Sequence, residues 1–101
     1  MKTLTNIGIR KQAQRFINSL SHATYELNGD EKQIDIFKSS IDDNTVKIYV
    51  YLDDSVEGEI DNIKLIDIDG DAIAHASRVF IKPSQKGLYT VFKYRFVEVE
   101  G

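Results

Sequence analysis

The stretch Thr45-Val46-Lys47-Ile48-Tyr49-Val50-Tyr51-Leu52 decides the fold. Its aliphatic residues fall at every second position, so Val46, Ile48, Val50 and Leu52 share one face of a strand. Thr45, Lys47, Tyr49 and Tyr51 share the other, wetter face. An aliphatic strand face needs a second apolar layer, and the sequence on both sides supplies candidates for it. Downstream, residues 60–68 are apolar and β-branched, and they run into Asp69-Gly70. That dipeptide predicts a two-residue hairpin turn with positive φ angles, returning along residues 72–76. The alanines of the returning strand predict close approach by another element. Residues 79–82 read as a short strand ended by Pro83, which cannot donate a ladder hydrogen bond. Residues 88 to about 99 form the last strand, a long one, with Leu88, Phe92, Tyr94 and Phe96 on one face. Tyr89, Val91, Lys93, Arg95, Val97 and Val99 lie on the other, where the helix or a neighbouring subunit is expected to cover part of the surface.

Upstream of the deciding stretch the period changes. Ile9, Ala13, Phe16, Ile17 and Leu20 recur at helical spacing, predicting a helix over about residues 6–20 with Thr5 or Asn6 as its cap. Arg10, Gln12, Gln14 and Asn18 then face water. A hairpin is predicted around Asn28-Gly29-Asp30, with weak alternation in residues 23–27 and again in residues 33–39. Ser39, Ser40, Asp42 and Asp43 read as a polar turn. The sum is a mainly β single domain over residues 1–101: an antiparallel β-sandwich or sheet with one N-terminal α-helix packed against it.

The 101 residues suit one domain of modest core. Lys and Arg number 13 against 16 Asp and Glu, a net charge of -3, and no contiguous basic stripe breaks that balance. Nucleic acid is therefore not an expected partner, because phosphate contacts require a basic surface. The chain contains no cysteine, which removes disulfides, thiolate metal sites and cysteine nucleophiles. Neither the apolar run of a signal peptide nor that of a membrane span stands out, so no membrane partner is expected.

Residues with chemical potential are few. Asp67, Asp69 and Asp71 suggest a hard-cation site, but Gly70 sits between the second and third aspartates and no distant bidentate glutamate follows, unlike an EF-hand loop. The water-facing tip of a hairpin accounts for them, and no metal or cofactor is expected. His22 and His75 are the only imidazoles, and neither belongs to a nucleophile-base-orienter arrangement. No catalytic residue is assigned and no enzymatic activity is expected. Tyr49, Tyr51, Tyr89, Lys93 and Arg95 are the candidate partner-binding residues, because tyrosine and arginine bury large area while still offering hydrogen bonds. The competing explanation is cross-strand pairing that serves the sheet alone.

Leu4-Thr5-Asn6-Ile7-Gly8, opening an amphipathic helix, resembles the start of bacteriophage tail-fibre and tail-collar modules. The order of the alternating strand 46–52, the segment Ile63-Lys64-Leu65-Ile66-Asp67-Ile68-Asp69-Gly70-Asp71-Ala72-Ile73-Ala74, Lys82-Pro83 and a long final strand is similar as well. Leu27-Asn28-Gly29-Asp30 matches that family's glycine-rich turn loosely, and Lys64 stands where the family often has glycine. The chain is similar also to the β-sandwich shoulder domains of phage receptor-binding proteins. The resemblance implies a tail or baseplate structural or accessory protein, made in the bacterial host cytoplasm and placed in the virion tail. It implies a homo-oligomer whose partners are other tail or baseplate proteins. The alternative is a carbohydrate-binding module whose tyrosines stack on host cell-wall glycans.

Overall fold

The computed structural model describes residues 1–77 and 79–99. Helix α1 (Asn6–Asn18) is followed by β1 (Leu20–Leu27), β2 (Asp30–Ile34), β3 (Lys38–Asp42), β4 (Thr45–Leu52), β5 (Gly58–Asp67), β6 (Ala72–Ala76), β7 (Phe80–Lys82) and β8 (Leu88–Arg95). The strands form two antiparallel sheets. One runs β2-β1-β5-β6, with β7 pairing the start of β5, and the other runs β3-β4-β8. Their inner faces make the core: Val46, Ile48, Val50, Leu52 and Phe92 from the three-stranded sheet, and Ala23, Tyr25, Ile60, Ile63 and Leu65 from the larger one. The architecture is the β-sandwich with a packed N-terminal helix that the alternation in residues 45–52 implied.

Thr5 caps α1, its hydroxyl accepting from the Gly8 amide at 2.9 Å, which satisfies one amide the helix leaves orphaned. The helix ends two residues earlier than its apolar spacing suggests. The Ser19 amide returns to the Arg15 carbonyl and Leu20 already belongs to β1. Ala13 is fully buried, and Phe16 meets Tyr94 and Phe96 at ring-centroid distances of 5.6 and 5.5 Å. The helix thus covers the inner, aromatic face at one end of β8. The helix, one of the two coverings the sequence suggests for the outer face of β8, leaves that face open, with Tyr89 and Val91 exposed.

Asn28 and Gly29, with φ of 52° and 88°, turn β1 into β2 as the hairpin the sequence predicts. Other local features depart from the sequence reading. The alternation expected to run through residues 33–39 breaks at 35–37, where the chain crosses from one sheet to the other. Ser39 and Ser40 therefore lie within β3, and only Asp43, with φ of 57°, belongs to a turn. The hairpin after β5 is wider than a two-residue turn. The Gly70 amide bonds the Asp67 carbonyl and the Asp67 amide bonds the Asp71 carbonyl, and only Gly70 has positive φ there. Inside β5 the pairing with β1 shifts register near Asn62, whose φ is 47°. That bulge lets Ile60, Ile63 and Leu65 all point inward although their spacing is not a strict two.

The last strand ends at Arg95, short of the residue 99 that the alternation suggests, and the N-terminal segment is tied to the residues that follow it. The Glu98 carboxylate accepts from the Thr3 and Leu4 amides at 2.7 and 2.6 Å, and these bonds hold its pKa below the ordinary glutamate range. Because the folded-state value is lowered, the clamp is complete above the usual carboxylate pKa and is lost as pH falls through the lowered value. The protection of the Thr3 and Leu4 amides, measured relative to intrinsic exchange at each pH, is expected to fall on acidification and in Glu98→Gln at neutral pH. Unchanged protection in that variant refutes the clamp.

Candidate functional site

Register across the three-stranded sheet determines which side chains share its outer face. Lys38 lies opposite Tyr49, Ser40 opposite Lys47 and Asp42 opposite Thr45. On the other side of β4, Thr45 lies opposite Arg95, Lys47 opposite Lys93, Tyr49 opposite Val91 and Tyr51 opposite Tyr89. All five candidate partner-binding residues, Tyr49, Tyr51, Tyr89, Lys93 and Arg95, therefore stand on one surface. The inward positions of the same strands are filled by Val46, Ile48, Val50, Leu52 and Phe92, so the outer side chains are not needed for the core.

The aromatic end of this face is a three-ring cluster. Tyr51 and Tyr89 approach at 4.6 Å between centroids, inclined by 34°. Phe37, from the crossing between the sheets, meets them at 5.4 and 5.6 Å. The Phe37 amide donates to the Tyr49 carbonyl at 2.9 Å, which pins the crossing beside the sheet. Gly87 closes the cluster from below, because a Cβ at this position would overlap the Tyr51 ring. Phe37 and Tyr89 remain 56% and 55% exposed. Sequence reading missed Phe37, which falls out of step with the alternating Ile34 and Ile36 and whose ring partners lie 14 and 52 positions away.

The other end is basic. Lys38, Lys47, Lys93 and Arg95 share the face with one carboxylate, Asp42. The Lys38 Nζ lies 5.7 Å from the Tyr49 ring centroid, a cation over an aromatic face. Lys47 and Lys93 stand directly across from each other, and like charges in that relation destabilise a sheet. The chain is acidic overall, so this concentration of cations is a local reversal. It is invisible along the sequence because each strand contributes only one or two of the charges.

The other candidates have structural partners. Asp67, Asp69 and Asp71 do bring one carboxylate oxygen each within 4.8 Å of one another. One Asp67 oxygen, however, already accepts from the Asp69 and Asp71 amides at 3.0 and 2.9 Å, organising the turn. His22 bonds Ser21 at 2.9 Å instead of the carbonyls ending α1, and His75 bonds Asn62 at 2.7 Å, so each imidazole is occupied by a different neighbour. Among the described residues, no helix is long and apolar enough to cross a membrane. No protein-family model matches the chain, and no curated protein or solved structure shows significant similarity to it.

Proposed function

We propose that the chain is a non-enzymatic assembly module that binds an acidic protein surface through the outer face of β3, β4 and β8. The observation that carries this reading is the joining of the Phe37-Tyr51-Tyr89 cluster to Lys38, Lys47, Lys93 and Arg95 on one face that the core does not use. Aromatic rings and arginine dominate binding energy where they desolvate together. An anionic partner also relieves the repulsion between Lys47 and Lys93. The tail or baseplate setting, with its virion location, is supplied by the sequence resemblance alone.

The three rings favour a protein partner over a glycan. They are inclined to one another by 34°, 50° and 70°, so they present edges and a shaped knob instead of a flat ledge for sugar rings. The test is co-purification with phage tail proteins, comparing the wild-type chain with Tyr51→Ala and Lys47→Glu. Truncating an anchoring ring is expected to cost about 1–4 kcal/mol of binding, and the charge reversal is expected to slow association. Gly87→Ala, which displaces the Tyr51 ring, is expected to behave like Tyr51→Ala while leaving the fold intact. Recovery of tail proteins unchanged by all three variants overturns the proposal. Binding of wall glycans or single-stranded oligonucleotides to this face, in place of protein, also overturns it.

A further inference from the structure

We infer that β8 pairs antiparallel with β8 of a second copy, joining two three-stranded sheets into one continuous sheet. In the order β3-β4-β8, β8 is an edge strand eight residues long. The Phe96 amide bonds the Asn44 carbonyl, and the register from there places the even residues of β8 in the ladder with β4. The backbone groups of Tyr89, Val91, Lys93 and Arg95 therefore point out of the free edge. Natural sandwiches usually protect such an edge by covering it or twisting it away. This edge is neither short nor interrupted by proline, and it is flanked by apolar surface. A groove of about 690 Å³ runs beside its first half, lined by Ile63, Ala76 and Phe80 from the opposite sheet and by Leu88 and Thr90. A second groove, with Phe16, Ile73, Tyr94 and Phe96, flanks its other half. A two-fold axis through the strand brings the first groove of each copy against the second groove of the other.

Charge selects the register. Side chains keep their faces only if odd positions pair with odd positions, a condition met by a two-fold axis through any residue of the strand, of which Val91, Phe92 and Lys93 are central choices. An axis at Lys93 sets that lysine against its own copy. An axis at Val91 leaves Arg95 opposite Gly87, where there is no side chain to pack on. An axis at Phe92 places Arg95 across from Tyr89 and Lys93 across from Val91, so both cations cover an aromatic or apolar neighbour. The two aromatic-basic outer faces then become one surface of twice the extent.

This inference stands on the free edge and not on the assembly reading, since the isolated chain tests it without any partner. Sedimentation equilibrium of the wild-type chain at concentrations up to on the order of 100 µM is expected to show a dimer. Val91→Lys places a lysine beside Lys93 of the second copy at two symmetric points and is expected to weaken the dimer about 10-fold or more. Val91→Glu meets the same lysine with opposite charge, so its dimer is expected to be as tight as the wild type or tighter. A wild-type chain that stays monomeric overturns the inference. Equal weakening by Val91→Glu and Val91→Lys overturns it as well, because that result assigns the contact to a different register or to no specific pairing.

Discussion

Ile48→Ala is expected to destabilise the domain by about 2–5 kcal/mol, the range for deleting a fully buried aliphatic side chain. Ile48 is 0% exposed and lies at the middle of β4, the central strand of its sheet, with Ser39 on one side and Phe92 on the other. The loss has two parts. Burial of the removed carbons no longer stabilises the fold, and the neighbours, held by ladders on both sides, cannot collapse into the space. A domain of this size typically has only 5–15 kcal/mol in total, so a variant at the upper end of the range falls close to unfolding. Denaturant melts of wild type and variant measure the effect through the midpoint at constant slope. A shift under about 1 kcal/mol means that the layer facing Ile48 rearranges freely, and the sandwich is then not packed as described.

The legible parts of this fold were those whose causes are local. In β4 every aliphatic residue that alternates is buried, and in β8 the even positions turn inward as the sequence implies. Thr5 caps α1 because the hydroxyl and the amide it accepts from are three residues apart. The features that escaped are set by a partner strand. The bulge at Asn62 is a mismatch with β1, and the crossing at residues 35–37 depends on which sheet has room for β3. The β7 strand inverts hydrophobicity altogether. Ile81 is 79% exposed while Lys82 is 2% exposed, because Phe80 beside Ile60 sets the parity of the strand.

The candidate site was legible in a similar way. Tyr49, Tyr51, Tyr89, Lys93 and Arg95 could be assigned to outer faces from their period in two strands, and the ladder between β4 and β8 gathers them. Phe37, Lys38 and Lys47 complete the surface only through the crossing and the β3 register, which no short window contains. The net charge also concealed the basic patch, because a sum over the chain contains no information about faces.

Lys82→Met is expected to destabilise the protein by about 1–3 kcal/mol, the cost of leaving a desolvated backbone acceptor unpaired. The Lys82 ammonium donates to the Val56 carbonyl at 2.6 Å and to the Pro83 carbonyl at 3.1 Å. It thereby ties β7 to the connection between β4 and β5. Its charge also helps to hold the Asp53 carboxyl below its ordinary pKa, though hydrogen bonds from the Ser55 side chain and amide do more. Methionine keeps most of the apolar stem and removes the donor, so the comparison isolates the ammonium. Two effects oppose each other. Removing a buried charge relieves its desolvation, which by itself favours the variant. Against that, the Val56 carbonyl loses its partner inside a part-buried loop, and a lysine that lies 2% exposed reached that position only because the carbonyls receive it. The second effect is expected to prevail, since the Val56 carbonyl lies two residues before Gly58, which pairs directly with Lys82, so turning it toward water pulls on the start of that pairing. Thermal melts settle the sign, and hydrogen exchange at Ile60 and Phe80 shows whether β7 detaches first. A variant as stable as the wild type, with β7 still protected, means that the ammonium's dehydration cancels its bonds and that the strand is held by Phe80 alone.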